Sequence, residues 1–432
     1  FPEVFEKGGF SAFVGNPPFL GGMQIPTHLG ATYSSSLKTF ISGMVGTADF
    51  AAYFYRKSFE LLAKYGCLGL IATKSISESD TRTSGLEFIL SHGGIIYRAI
   101  ISIPWPGEAA VIISIIHITK KIWNGEIIRN NQSVNVISSS LDENFDYESA
   151  KRLSHGIDYS EGTKLYGGAF IRTKNELLSL LKNNPGIMPF TRIFVNGDVL
   201  NDTPTIEGDL IALDFGDRNR NEINDCNEIL DFLTVEITKE RGNQTRQIHE
   251  VRQWLHWDKR LDFYSKARKL ERILACTIVS TNLAFIFADP NKLYSHGIKL
   301  FADTRYGLFG LLQSSIHDVW ARATSSTLGF SIRYSTSTTF DKFPLKTDYV
   351  SQMENVAKKY HSYRGDLMID RQEGLTTTYN RFHNPKDKSA DTNRLRELHV
   401  EMDNAVAAAY GWSDLDLGHG FHETPQGVRF TI

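Results

Sequence analysis

Asn16-Pro17-Pro18-Phe19 is the stretch whose residue types and order could do chemistry. An exocyclic aromatic amine, such as adenine N6, is a poor nucleophile because its lone pair is delocalised into the ring. Two acceptors held against the NH2 group favour a more tetrahedral, more nucleophilic nitrogen. The side-chain oxygen of Asn16 is one such acceptor, and the backbone carbonyl of Pro17 is the other. Proline fixes φ, so that carbonyl is aimed before any substrate arrives. Phe19 offers a ring face on which a planar base stacks. The bland alternative is a strand-ending Pro-Pro turn with an Asn cap.

The flanking residues must position this tetrapeptide. Phe10 to Gly15 reads as a buried strand, and two prolines cannot continue a sheet ladder. Asn16 is thereby presented at the carboxyl end of a strand, where open α/β sheets bind ligands. Residues 20–47, rich in Gly, Ser and Thr, read as a long loop. Asp49 to Lys64 has the spacing of an amphipathic helix, and Cys67 to Thr73 that of a strand ending at Lys74 and Ser75. A short helix is expected over Ser84 to His92, then a strand over Ile95 to Ile103. Trp105-Pro106-Gly107 breaks that strand before a β-branched run from Ala109 to Lys121. Two strands joined so tightly are antiparallel. The pattern is the second half of a doubly wound α/β sheet ending in a hairpin. No Gly-rich cofactor turn precedes Asn16.

Composition changes near residue 125. The expected organisation is a first domain over 1–125, an α+β domain over 126–345 and a peripheral helical tail over 346–432. Residues 228–275 read as helical and basic. Arg241, Arg246, Arg252, Lys259, Arg260, Lys266, Arg268 and Lys269 interleave there with Trp254, His256, Trp257 and Tyr264. That composition suits a surface gripping phosphates, or equally a solvated face laced with ion pairs. Cys276 to Ala288 and Leu300 to Leu311 read as strands and core. Ser314 is the expected N-cap of a helix to Ala323. A Ser/Thr-rich loop over Ser325 to Thr339 carries Arg333 and Tyr334, with Thr327 and Ser331 nearby. Arginine is the commonest bidentate partner of guanine, so Arg333 is a candidate base reader.

The 432 residues are 41% hydrophobic with a net charge of -2, which excludes a uniformly basic nucleic-acid coat. No apolar stretch is long enough to span a membrane, and no signal peptide is visible. The three cysteines show no metal spacing, no metal site is expected, and a reducing cytoplasm suits them. The chain lacks an initiator Met and opens in the middle of a fold pattern. We expect one piece of a longer polypeptide.

Phe10 to Phe19 resembles the catalytic motif of adenine-N6 DNA methyltransferases of restriction–modification systems. Asp49 to Ser75 resembles the two motifs that follow it, and Trp105 to Val111 a later motif that shapes the target-base pocket. Gly167 to Asn201, Ser314 to Thr324, Tyr334 and Phe340 to Pro344 resemble the target-recognition domain of single-chain type IIG/IIL, MmeI-like enzymes. Gly374 to His383 and Arg394 to Trp412 resemble their tail. The resemblance implies a Rossmann-like methyltransferase sheet and S-adenosyl-L-methionine as cofactor. It also implies double-stranded DNA as partner, and an upstream nuclease domain or other subunits of a defence system. It assigns the amine to Asn16 and Pro17, with Pro18 and Phe19 completing the motif. Asp49 would contact the cofactor or order the pocket, or is a helix-start carboxylate favoured by the helix dipole. Lys74 and Ser75 would line that pocket or end a solvated strand, and Trp105 would pack behind the base or belong to the core. The family's cofactor-gripping turn and acidic residue, and its nuclease, have no counterpart here. Two other readings stay open: a DNA-recognition module without activity, and methylation of RNA or of a protein glutamine.

Overall fold

The computed structural model describes residues 1–106, 111–143, 153, 155–242, 252–328, 331–345, 347–424 and 426–432. The chain divides into two compact units, Phe1–Lys151 and Arg152–Ile432.

In the first unit, β1 (Phe10–Gly15) is followed by α1 (Ala31–Phe40), α2 (Phe50–Leu61), β2 (Leu62–Thr73), β3 (Ile95–Pro104) and β4 (Ile112–Thr119). Two short strands, β5 (Ile127–Arg129) and β6 (Gln132–Val134), complete a sheet of order β1-β2-β4-β3-β5-β6. β1 runs parallel to β2, while β4 returns antiparallel between β2 and β3. The expected hairpin is therefore present, with its second strand inserted into the sheet. The sheet continues beyond residue 125, because β5 pairs with β3 in parallel. Helix α2 presents Ala51, Ala52, Tyr55 and Phe59 to Leu68, Leu70, Ala72, Ile96 and Ile116 on one sheet face.

Two expectations fail in this unit. Residues 20–47 are not one loop: Ile25–Leu29 and α1 are helical, and α1 buries none of its residues. β1 is not a buried strand either. It pairs on one side only among the described residues, and Val14 is 90% exposed. Ala12 and Val14 lie with Gly69, Ile71, Tyr97 and Ile115 along an open groove of about 310 Å³.

The second unit is α+β. β8 (Ile171–Thr173), β9 (Thr191–Val195), β10 (Leu210–Leu213) and β14 (Leu293–Tyr294) form one sheet. β7 (Tyr159–Glu161), β11 (Ile273–Thr277), β13 (Ile286–Ala288) and β15 (Ile298–Phe301) form a second. Residues 228–275 are only partly helical, with α3 (Asn227–Arg241) and α4 (Leu261–Ala267) followed by β11. The run expected as strand over 300–311 ends in α5 (Tyr306–Gln313). Ser314 caps α6 (Ser315–Thr324) as expected, accepting from the His317 N–H at 3.2 Å. The Ser325–Thr339 segment is not all loop: β16 (Ser326–Leu328) and β17 (Ser331–Arg333) pair there, with β12 (Val279–Ser280) beside β17.

The helical tail is integral, not peripheral. Its helices α7 (Glu354–Arg371), α8 (Leu375–Phe382) and α9 (Ala390–Ala409) place Met368, Tyr379, Leu395 and Met402 in the same apolar cluster as Phe285, Phe309 and Phe340. A side chain on Gly310 would collide with Ala357, so that glycine lets α5 and α7 approach closely. Arg364 on α7 is fully buried. It donates to Gln313 Oε1 (3.1 Å), the Tyr379 hydroxyl (2.9 Å) and the Phe285 carbonyl (2.7 Å). The tail ends in a hairpin of Gly420–Thr424 and Gly427–Thr431.

Burial holds His317 and His361 down at about 3, and His383 well below its ordinary value. Released in the unfolded chain, each returns to about 6.5. Between those limits the unfolded state takes up protons that the folded state refuses, so stability rises with pH across that window. It is fully present above about 6.5. The urea midpoint of the second unit is expected to fall as pH is lowered from about 7.5 to about 5. A His361→Phe variant should show a shallower fall. A midpoint that does not move with pH would contradict the buried neutral histidines.

Candidate active site

β1 lies beside β2 with Val14 opposite Gly69 and Gly15 opposite Leu70. The ladder stops there because Pro17 and Pro18 carry no N–H. Pro17 is buried, whereas Asn16, Pro18 and Phe19 are exposed. The Leu20 N–H returns to the Pro18 carbonyl at 3.2 Å. Among the described residues neither the Asn16 amide nor the Pro17 carbonyl takes part in a hydrogen bond. Two acceptors therefore stand unspent at the strand end. Phe19, 37% exposed, meets the half-buried Trp105 edge to face at 6.1 Å. The backbone N–H of Trp105 donates to the Val111 carbonyl at 2.9 Å.

The N-terminus of α2 lies against this turn. Asp49 occupies the N-cap position, yet its side chain does not cap the helix. Its Oδ1 accepts the Gly22 N–H at 3.0 Å, and its Oδ2 accepts the Ser75 hydroxyl. Ser75 in turn meets Thr73 Oγ1 at 2.8 Å. Deeper in the unit the buried Tyr55 hydroxyl donates to the Leu70 carbonyl at 2.6 Å and fixes α2 against β2. Burial pushes that phenol well up. Lys74 follows β2 with its ammonium paired to Glu78 at 3.3 Å. The sequence reading singled out Asp49 and Ser75 separately. Gly22 and Thr73 carry no signal of their own, and they emerge only through the carboxylate that links them. Among the described residues no cluster of His, Cys, Asp or Glu could hold a metal ion, and no helix is long and apolar enough to cross a membrane.

Residues 1–97 match the family model of the Eco57I restriction-modification methylase, and residues 148–347 that of the MmeI target recognition domain. The chain carries a restriction–modification methylase segment and a target recognition domain. No curated protein sequence matches it significantly. Among solved structures, the type IIL restriction-modification enzyme MmeI in complex with DNA aligns at a TM-score of 0.73 with 20% identity. That alignment covers 95% of this chain and 56% of the MmeI chain, so this chain spans little more than half the length of that enzyme. A nuclease-deletion mutant of the type ISP enzyme LlaGI, bound to a DNA substrate mimic, aligns at 0.40 with 10% identity, over 96% of this chain and 53% of that one. The type IIG restriction endonuclease BpuSI aligns at 0.30 with 11% identity, over 94% and 55%.

In the target recognition domain most of the expected phosphate-gripping cations are committed internally. Arg241 is 2% exposed, and its guanidinium donates to the carbonyls of Leu165, Tyr166, Gln253 and Leu255. It is a structural strut. Lys259 pairs with Asp217 at 2.9 Å, and Arg252 reaches the same carboxylate at 3.6 Å. Lys266 pairs with Asp158 at 2.9 Å, and Arg268 faces Asp214 at 3.8 Å. Arg260 lies between Glu161 and Asp258 in a left-handed backbone conformation. Lys259, Arg260 and Lys266 line an open groove of about 700 Å³ together with Asp158, Asp258 and Asp262, so its charge is balanced. Lys269 is exposed, and Arg246 lies outside the described residues. Lys266 and its partner Asp158 are both more than half exposed, so that pairing leaves the ammonium at the surface. Tyr334 is not a surface reader: it is 1% exposed, with its hydroxyl 3.0 Å from His317 Nε2. Arg333 is exposed on β17.

Replacing Arg241 with Met strands several buried carbonyls at about 1–3 kcal/mol each. The urea midpoint of the recognition domain is expected to fall by the equivalent of at least about 3 kcal/mol, with no change in DNA affinity per folded molecule. A stable variant with weakened DNA binding would restore Arg241 to the nucleic-acid surface.

Proposed function

We propose that the protein methylates adenine N6 at specific sites in duplex DNA, with S-adenosyl-L-methionine as methyl donor, within a restriction–modification or phage-defence system. The observation that carries this reading is the pair of unspent acceptors, Asn16 Oδ1 and the Pro17 carbonyl, on a proline-locked turn beside the exposed Phe19 ring. The methylase match over 1–97 and the target-recognition match over 148–347 support DNA as the substrate.

The target adenine would leave the helix stack and lie against Phe19, with Trp105 backing that ring. Its N6 hydrogens would bond to Asn16 Oδ1 and the Pro17 carbonyl. Drawing both hydrogens toward acceptors localises the nitrogen lone pair for attack. The acceptors are fixed beforehand, so little reorganisation is needed at the moment of reaction. As N6 gains its methyl group and becomes cationic, the same two oxygens stabilise the developing charge. The proton then passes to water. S-adenosyl-L-methionine would supply an electrophilic methyl on a sulfonium that departs as a neutral thioether. Both Asp49 oxygens already accept hydrogen bonds, from Gly22 and Ser75, which suits ordering of the pocket. The part this chain plays is to hold and activate the amine. Arg333 would read a base edge from the exposed β17 strand, and an upstream nuclease or partner subunits would complete the system.

The test is transfer of labelled methyl groups to plasmid DNA lacking native methylation. Label is expected on adenine N6. Asn16→Ala should lower transfer by about 10² to 10³, as loss of one preorganised polar group does, while DNA binding survives. Transfer at the native rate in that variant would refute the assigned role. Sequence-selective binding with no label in the native protein would favour the recognition-module reading.

A further inference from the structure

An aspartate at a helix N-cap normally spends its carboxylate on the N–H groups of the first turn. Asp49 does not. Its two oxygens instead reach 27 residues back to Gly22 and 26 residues forward to Ser75. We propose that Asp49 is a positioning residue. With Ser75 it clamps the Leu20–Gly22 backbone, and through that loop it sets the attitude of Phe19 and of the Asn16–Pro17 acceptors. The inference rests on the methyltransferase reading and adds to it the element that holds the acceptor turn in register.

The clamp ties the end of one strand to the loop that follows its neighbour. Thr73 and Ser75 stand at the end of β2, and Gly22 lies in the loop after β1, on the same segment as Asn16 and Phe19. Three further restraints hold the same loop. The Phe50 N–H donates to the Leu20 carbonyl at 2.9 Å. Leu20 packs beside Ile25, Ile41, Phe50 and Tyr53. Gly22 lies so close to the Thr47 carbonyl that no side chain fits there.

The far side of the clamp is itself anchored. The Val45 N–H bonds Ser84 Oγ at 2.8 Å, the Thr47 N–H bonds Asp80 Oδ2 at 2.9 Å, and the Asp49 N–H bonds Thr81 Oγ1 at 3.0 Å. The carboxylate therefore joins a fixed base to a loop whose next residues carry the stacking ring. Leu20 and Gly21 alone separate Phe19 from Gly22, so releasing Gly22 removes one of the restraints on the segment that carries the ring. A displacement of about 1 Å at a reacting centre can cost about 10² in rate.

The experiment compares Asp49→Ala, Asp49→Asn and Ser75→Ala with the native polypeptide. Two readouts are taken: methyl transfer split into kcat and KM, and amide exchange of residues 19–24. Asp49→Ala is expected to lower kcat by about 10² with KM for DNA within about threefold. Exchange at 19–24 should quicken by about tenfold, the loss of roughly one hydrogen bond. Asn keeps an acceptor for the Gly22 N–H, so Asp49→Asn should recover most of both. A purely structural role would lower the active fraction without this split and without rescue. Asp49→Ala with kcat within about threefold of native, or with unchanged exchange at 19–24, overturns the clamp. If Asp49→Ala does not fold, Ser75→Ala decides: exchange must quicken and kcat must fall about tenfold. A native polypeptide that moves no methyl group to adenine removes the functional reading, and exchange at 19–24 still decides whether the clamp exists.

Discussion

Two consecutive prolines remove two backbone donors and fix two φ angles, and the first unit is arranged around that constraint. β1 cannot extend past Gly15, so Asn16 leaves the sheet with its amide unspent. The surrounding parts hold this turn still. Tyr55 fixes α2 to the back of β2, and α2 delivers Asp49 to the loop that follows Phe19. The hairpin of β3 and β4 brings Trp105 to the edge of the Phe19 ring. Little of this is strong in isolation. Its value lies in setting two acceptors before a substrate arrives, where preorganisation counts for most.

The second unit uses charge differently. Its buried guanidinium groups serve as internal scaffolding. Arg241 collects four carbonyls from two loops, and Arg364 ties the tail to α5 and to the strand region at Phe285. Burial lowers Arg241 to about 10, yet it stays charged at neutral pH because its donors meet well-placed oxygens. Removing one such group would leave several acceptors without partners, so each works as a unit with its loops.

Much of the first unit was legible in the sequence. The Pro-Pro stop, the helix beginning at Asp49 and the paired strands around Trp105 each leave a local signature, and each is present. β1 was misjudged because apolar composition shows what a strand could bury, not whether another element covers it. The two short helices after Leu20 were missed because Gly, Ser and Thr have weak propensity, and α1 has no buried face to create a periodic pattern. In the second unit the cations between residues 236 and 272 could not be sorted from sequence. Lys259 and Lys266 meet Asp217 and Asp158, which are 42 and 108 residues away. The tail's polar composition likewise concealed how much of it is core. The clamp at Asp49 was half visible, since a helix-start carboxylate looks the same whether it caps its own helix or reaches across a site.

The tail's place in the core has a consequence for dissecting the molecule. The recognition-domain match ends at residue 347, but the folding unit does not end there. Stopping the chain near that residue would strip Met368, Tyr379, Leu395 and Met402 from the cluster that holds Phe285, Phe309 and Phe340. It would also leave the Gln313 side-chain oxygen and the Phe285 carbonyl without the Arg364 guanidinium. The second unit is therefore to be handled whole, tail included.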